Sequence, residues 1–383
     1  MTQHIVIDFL HNLTVRDQYV EYCIENGTKV TTYPWYIAFQ VLWVIVATVS
    51  LGIVFRVYYV YVRSSKLHNN IQILLKFFLL SAVLINAIFI FYQSYQVVLS
   101  LTYKHPCEVF LQKRFYMCMN IVFGFSIELY LLSQAAMAME RVLATLHANG
   151  YEQIKALPAA VGVALSVLSS MTIEYCLYRN CSFSHPQISV LNSVPDVRDR
   201  FNHLLSFNFA CSGVITCVMV TLLVVNKKRQ QRTIGNVSWR FQTEENIETT
   251  KMIAYVSFIQ LMAYTMQSLG SLLLRKLEKI VPELSNQQVM KTLKLAIYVL
   301  PLSTALMSAV VEYCSYTTQA RRKSKIQKAL SLKDEAQHYS NFLAQQWNQK
   351  SASSLTKEMA TSEQLMFPGR LWYFFYTAKR WLQ

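Results

Sequence analysis

Residues 115–145 read FYMCMNIVFGFSIELYLLSQAAMAMERVLAT. A bilayer core takes about 20 predominantly apolar residues of helix. The run ahead of Glu140-Arg141 meets that length, with a single carboxylate, Glu128, near its middle. Asn120, Gly124, Glu128, Leu131, Ala135 and Met139 recur at spacings of three and four, so they share one helical face. Small residues let helices approach in lipid, and polar ones need partners there. The face therefore looks into a helix bundle, and Glu140-Arg141 falls at a membrane boundary.

The rest of the chain has the same character. Of 383 residues, 53% are hydrophobic and only 15% are charged, against about 25% charged in soluble domains. The apolar residues come in seven blocks: 35–62, 71–97, the opening stretch, 156–178, 203–225, 251–274 and 293–318. The connecting loops are too short for folded domains. The expectation is an all-α membrane protein: a seven-transmembrane helix bundle over 35–318, preceded by a segment 1–34 and followed by a tail 319–383. Pro301 is expected to kink the seventh span. The net charge of +15 sits mostly between and after the blocks, where cations face anionic headgroups, so nucleic acid is not an expected partner.

Orientation follows from the Lys/Arg bias. The densest clusters are Lys227–Arg232 and Arg321–Lys328, and both fall on one side. Two sequons, at Asn12 and Asn26, fall on the other. The expected topology is N-terminus outside and C-terminus inside. Asn12 and Asn26 are then glycan acceptors and Asn236, in a further sequon, stays unmodified. Asn180 heads another weak sequon. The stretch 365–376, which contains Pro368 and Arg370, reads as an interfacial segment and not an eighth span.

The eight cysteines form no C-x-x-C pair and no zinc-spaced cluster. Cys23, Cys107, Cys176 and Cys181 lie outside the blocks or at their edges, where an oxidising exterior would reach them. A Cys107–Cys181 bridge is the expected pairing, with Cys176 and Cys118 as substitutes. No Walker, H-E-x-x-H or G-x-S-x-G motif is present, so neither enzymatic activity nor a cofactor or metal is expected. Intramembrane carboxylates mark functional sites by default. Glu128, with Asn120 and Asn86, therefore stands as a ligand-site candidate. The plainer reading, of equal weight, keeps Glu128 neutral or hydrogen-bonded to Asn86 or Asn120.

Three segments, in order and at matching loops, resemble the nematode serpentine chemoreceptors of the Sra superfamily, classes alpha, alpha/beta and epsilon. Leu67-His-Asn-Asn-Ile-Gln-Ile-Leu74 is similar to its F-H-x-N-x-x-x-L. Glu140-Arg-Val-Leu-Ala-Thr145, with Tyr151-Glu152 following, is similar to E-R-x-x-A-[ST]…Y-E. Arg240-Phe-Gln242 with Glu245-Asn246-Ile247 is similar to R-[YF]-Q-x-x-E-N-I. Pro106-Cys107-Glu108 resembles the alpha-type P-C-[DE]. The similarity covers roughly residues 30–325; the aromatic tail departs from it.

The resemblance implies a G-protein-coupled chemoreceptor of sensory neurons, in the plasma membrane and in cilia. It implies a small-molecule ligand among the outer helix halves and a heterotrimeric G protein at the inner face. Glu140, Arg141, Glu312 and Arg240 are the switch candidates. Arg141 is expected to pair with Glu140, Glu312, Glu244 or Glu245. The rivals are a ligand-gated channel of the insect odorant or gustatory type, whose N-terminus lies inside, and a secondary transporter, which would show internal repeats.

Overall fold

In the computed structural model, which describes residues 17–62, 68–147, 156–183, 186–191, 194–232, 237–280 and 286–358, the regular elements are all helical. α1 spans Pro34–Arg56 and winds on as a π-turn over Val57–Val62. α2 is Asn69–Thr102, α3 Lys113–Leu146, α4 Leu157–Tyr178, α5 Arg198–Arg232 and α6 Val237–Ile280. α7, Gln287–Ala296, is followed after three residues by α8, Leu300–Glu358.

The helix starts follow from local chemistry. α1 opens with Pro34 after an extended Tyr33, where the missing N–H costs nothing. α7 is capped by the Asn286 side chain, which accepts from Gln288 N at 3.0 Å. Six helical stretches are long and apolar enough to cross a membrane: 34–62, 69–102, 106–146, 157–178, 198–231 and 287–328. α6 is as long, but Ser257, Gln260, Gln267 and Ser268 dilute its apolar run.

The chain divides into two compact units, Met1–Thr318 and Gln319–Gln383. In the second, residues 319–358 are helical, with Arg321, Lys323, Lys325 and Lys328 exposed. The stretch 365–376 lies outside the described residues.

α3 is the central strut of the first unit, packing on α2, α4, α5 and α6. Phe78 stacks on Tyr130 with ring centroids 4.6 Å apart. Buried polar groups tie helices where lipid cannot solvate them. Gln40 Nε2 donates to Gln93 Oε1 at 3.1 Å. Asn86 Nδ2 donates to Thr304 Oγ1 at 3.1 Å, and Ser50 Oγ lies 3.0 Å from that same hydroxyl. The Thr304 hydroxyl thus staples α1, α2 and α8 together.

Two expectations are corrected here. The seventh span is not kinked at Pro301 but interrupted over Ile297–Val299, with Pro301 in the first turn of α8. Proline has no N–H to offer the Ile297 carbonyl four residues back and its ring crowds that carbonyl, so the ladder does not run through to α8, and the break leaves the last carbonyls of α7 in need of other donors. Leu295 O accepts from the Trp43 indole Nε1 at 3.0 Å and from Tyr298 N at 3.1 Å.

The second correction is the bridge. Cys107 pairs with Cys23, not Cys181. The segment before α1 folds back over the short helical turn Pro106–Val109: Thr28 Oγ1 donates to Pro106 O at 3.1 Å. Gly27 sits so close to this turn that a Cβ there would stand 2.8 Å from both Val109 and Phe110. That contact brings Cys23 to Cys107. Cys181 is free, as are Cys118 and Cys176.

Candidate functional site

A cavity of about 1080 Å³ opens at the end of the bundle that carries the Cys23–Cys107 bridge. Small-molecule sites occupy roughly 300–1,000 Å³, so it is large enough for a chemical cue. Its wall is drawn from α3 to α7, from the break at Ile297–Leu300, and from two covers.

The first cover is the loop segment Pro186–Leu191. Tyr92 on α2 holds it, donating to Ser189 Oγ at 2.7 Å and accepting from Val190 N at 2.7 Å. Asn120 on α3 donates to Val190 O at 3.3 Å, and Leu111 N donates to Gln187 O at 3.0 Å. The second cover is the pre-α1 segment, which contributes Tyr22 and Asn26. Lys291 on α7 donates to Asn26 O at 3.1 Å.

The floor is acidic. Glu128 on α3 accepts from Asn208 Nδ2 on α5 at 2.6 Å. This replaces both expected partners: Asn86 is engaged with Thr304 and does not line the cavity, and Asn120 accepts from the Tyr178 hydroxyl. Glu174 on α4 is the second floor carboxyl, within electrostatic reach of Glu128. It lies over Gly124: a Cβ at that position would stand 2.6 Å from Glu174 Oε1. Glu128, Glu174 and Asn208 are all buried. Yet Glu128 Oε2, Glu174 Oε2, Asn208 Oδ1 and the Tyr298 hydroxyl find no hydrogen-bond partner among the described residues. Each such buried group costs about 1–3 kcal/mol left unpaired.

At the opposite end of α3 lies a second polar cluster. Arg141 is only 2% exposed and grips Glu140 with two parallel bonds, Nε and Nη2 each 2.5 Å from a carboxylate oxygen. Neighbours in a helix do not normally face each other; here the guanidinium fork turns back on the preceding carboxylate. Nη1 donates to Asn246 Oδ1 on α6 at 3.2 Å. Glu245 accepts from His68 N at 3.2 Å, and Asn226 on α5 donates to Thr145 Oγ1 at 3.1 Å. Of the expected partners of Arg141, Glu140 is present. Glu312 instead pairs with Arg56 at 2.9 Å, a largely exposed bridge of small worth. Arg240 lies on α6, its side chain outside those described.

The geometry invites comparison with known proteins. A family model described as the serpentine type 7TM GPCR chemoreceptor Sra matches residues 28–347. The chain belongs to that family. This serpentine receptor is 23% identical over 340 residues to serpentine receptor class beta-16 of Caenorhabditis elegans, covering 86% of this chain and 97% of the relative. It is 25% identical to class beta-17 of the same organism, covering 82% and 88%. It is 24% identical to class alpha-12, covering 57% and 65%. Class beta was not among those the motifs brought to mind. The receptor is thus a multi-pass, seven-transmembrane chemosensory G-protein-coupled receptor.

Reading the sequence singled out Glu128, Asn120 and the Glu140-Arg141 pair, and the structure sets the first two in the cavity. It missed Asn208, Glu174 as a floor group, Tyr92 as the loop's holder, and Asn246 as Arg141's cross-helix partner. Asn246 was in plain view within the Glu245-Asn246-Ile247 motif, and Glu174 stood out as a carboxylate near the end of an apolar block; nothing local marks Asn208 or Tyr92.

Proposed function

We propose that this serpentine receptor binds a small-molecule cue in the cavity floored by Glu128 and couples it, through α3, to a heterotrimeric G protein at the Arg141 end. The bridge end faces the exterior of the plasma membrane, in sensory cilia, and the Arg141 end faces the cytosol. The protein carries a signal and catalyses no reaction. The observation that supports this most is that one helix, α3, holds both a floor group of the cavity and a buried guanidinium tied to α6. Ligand and G protein then bias the same two packings of the bundle, and their affinities are linked.

The resting state is held by Arg141 bonded to Glu140 and Asn246. Opening α6 away from α3 breaks the Asn246 contact and frees donors of Arg141 for a G-protein segment. The test needs no ligand. Asn246→Ala removes the tie to α6 and is expected to raise basal nucleotide exchange on a co-expressed heterotrimeric G protein by a few-fold at matched surface expression. Exchange that stays at background for both receptor and variant, across the G-protein classes, would count against the reading.

A further inference from the structure

We infer that the cavity floor takes the ammonium group of a small organic amine, an inference that rests on the cavity being the ligand site. Three residues from three different helices line the cavity, and each keeps one acceptor without a partner among the described residues: Glu128 Oε2 on α3, Glu174 Oε2 on α4 and Asn208 Oδ1 on α5. All three side chains are more than nine-tenths buried. A primary ammonium has three donors and no acceptor, so one such group carries a donor for each. A neutral hydroxyl satisfies one, and a carboxylate satisfies none.

Two further features select the same chemistry. One N–H of the Asn208 amide is spent on Glu128 Oε1, and the amide oxygen is left without a donor among the described residues. The rings of Tyr178, Tyr264 and Tyr298 also line the wall, and aromatic faces attract cations. A bare metal ion is the poorer occupant: no group of three or more His, Cys, Asp or Glu side chains suited to a metal occurs among the described residues.

Basic side chains do line the cavity, namely Arg198, Lys276, Lys291 and Lys294. They belong to its mouth. Arg198 stands ten residues before Asn208 on α5, on the order of 15 Å along the axis. Arg198, Lys276 and Lys294 are exposed and so screened by salt, and Lys291 is held by Asn26 O. These cations slow the entry of an amine without changing which group the floor prefers.

The experiment uses the full chain, purified in detergent, with a panel of alkyl and arylalkyl amines, each matched to its alcohol and its carboxylic acid. 2-Phenylethylamine, 2-phenylethanol and phenylacetic acid form one such set. Thermal stabilisation is read for the receptor and for Glu128→Gln and Glu174→Gln. Amines are expected to stabilise it where their alcohols and acids do not, and each substitution is expected to weaken amine binding at least tenfold. Should Glu128→Gln fold poorly, Glu174→Gln alone carries the comparison. Binding confined to alcohols or acids overturns the inference while leaving the cavity as the ligand site. So does amine binding that neither substitution weakens. If no member of the panel binds, the inference also falls, and the basal-exchange test of Asn246→Ala still decides the receptor reading.

Discussion

Gly124 and Glu174 fit together as socket and plug. The Glu174 side chain reaches so far onto α3 that a Cβ on Gly124 would stand 2.6 Å from Oε1, so the carboxyl would have to move. The cavity floor therefore depends on a residue that contributes no chemistry of its own.

Gly124→Ala is expected to push the Glu174 carboxyl out of its place over Gly124. Inserting a methyl group against a buried side chain costs about 1–3 kcal/mol. The loss is expected as a lower melting temperature of the purified receptor, and the double variant Gly124→Ala, Glu174→Ala should recover most of it. A Gly124→Ala protein as stable as the unaltered one would contradict the fit.

The bridge makes a prediction opposite to the one the loops suggested. Cys181→Ser should leave expression and folding unchanged, whereas Cys23→Ser and Cys107→Ser should each lower surface expression. The bridged residues are 84 apart in sequence, for which chain entropy gives about 4–5 kcal/mol. Spans already inserted in the bilayer restrict the unfolded chain, so the true gain is smaller. Non-reducing peptide mapping checks the pairing directly: a Cys107–Cys181 peptide would refute it.

Arg141 separates a fork from a point charge. The guanidinium makes two parallel bonds to Glu140 and a third to Asn246; an ammonium cannot reproduce that planar set. Arg141→Lys is expected to lose most agonist-free exchange on the G protein at matched surface expression, and Arg141→Ala to lose it as well. A mere headgroup anchor would tolerate lysine, so normal coupling by Arg141→Lys would exclude the switch.

Tyr92→Phe tests the loop cover. The hydroxyl serves Ser189 and the Val190 amide together. Its removal leaves a buried N–H without its acceptor, at about 1–3 kcal/mol. Amide exchange over residues 186–191 should quicken by ten-fold or more, while the rest of the bundle is unaffected. Unchanged exchange there would mean that the other ties suffice.

Topology has its own check. Glycan is expected on Asn12 and none on Asn236; both lie outside the described residues. Asn26 is a poorer acceptor than its sequon suggests, because it is half-buried on a helical turn, with its amide donating to Tyr22 O at 3.3 Å. Glycosidase treatment of Asn12→Gln and Asn236→Gln variants settles the side, and a glycan on Asn236 would invert the orientation.

The helices were legible because length and apolarity are local properties. α3 could be read from residues 115–145, including the inward face at Asn120, Gly124, Glu128 and Leu131, but Met139, expected on that same face, is 63% exposed. The Glu140-Arg141 pair was legible for the same reason, since its partners are adjacent in sequence. What escaped was pairing between elements. Nothing about Asn208, one polar residue in an apolar run, says that it meets Glu128 eighty residues earlier. Cys23 was visible as an oxidisable thiol, but its union with Cys107 depends on how the segment before α1 folds back. The break at Ile297–Val299 begins at the residue whose carbonyl the missing Pro301 N–H would have met, and the Trp43 indole meets the Leu295 carbonyl that the break uncovers.

The pinned segment ahead of α1 has an evolutionary consequence. Tyr22 and Asn26 reach the cavity from the segment ahead of α1 and Phe110 from the turn just before α3, and one covalent link joins the two. Substitutions in these positions reshape the mouth of the cavity without touching the polar ties between the helices. The rim can therefore vary at little cost to assembly in the bilayer.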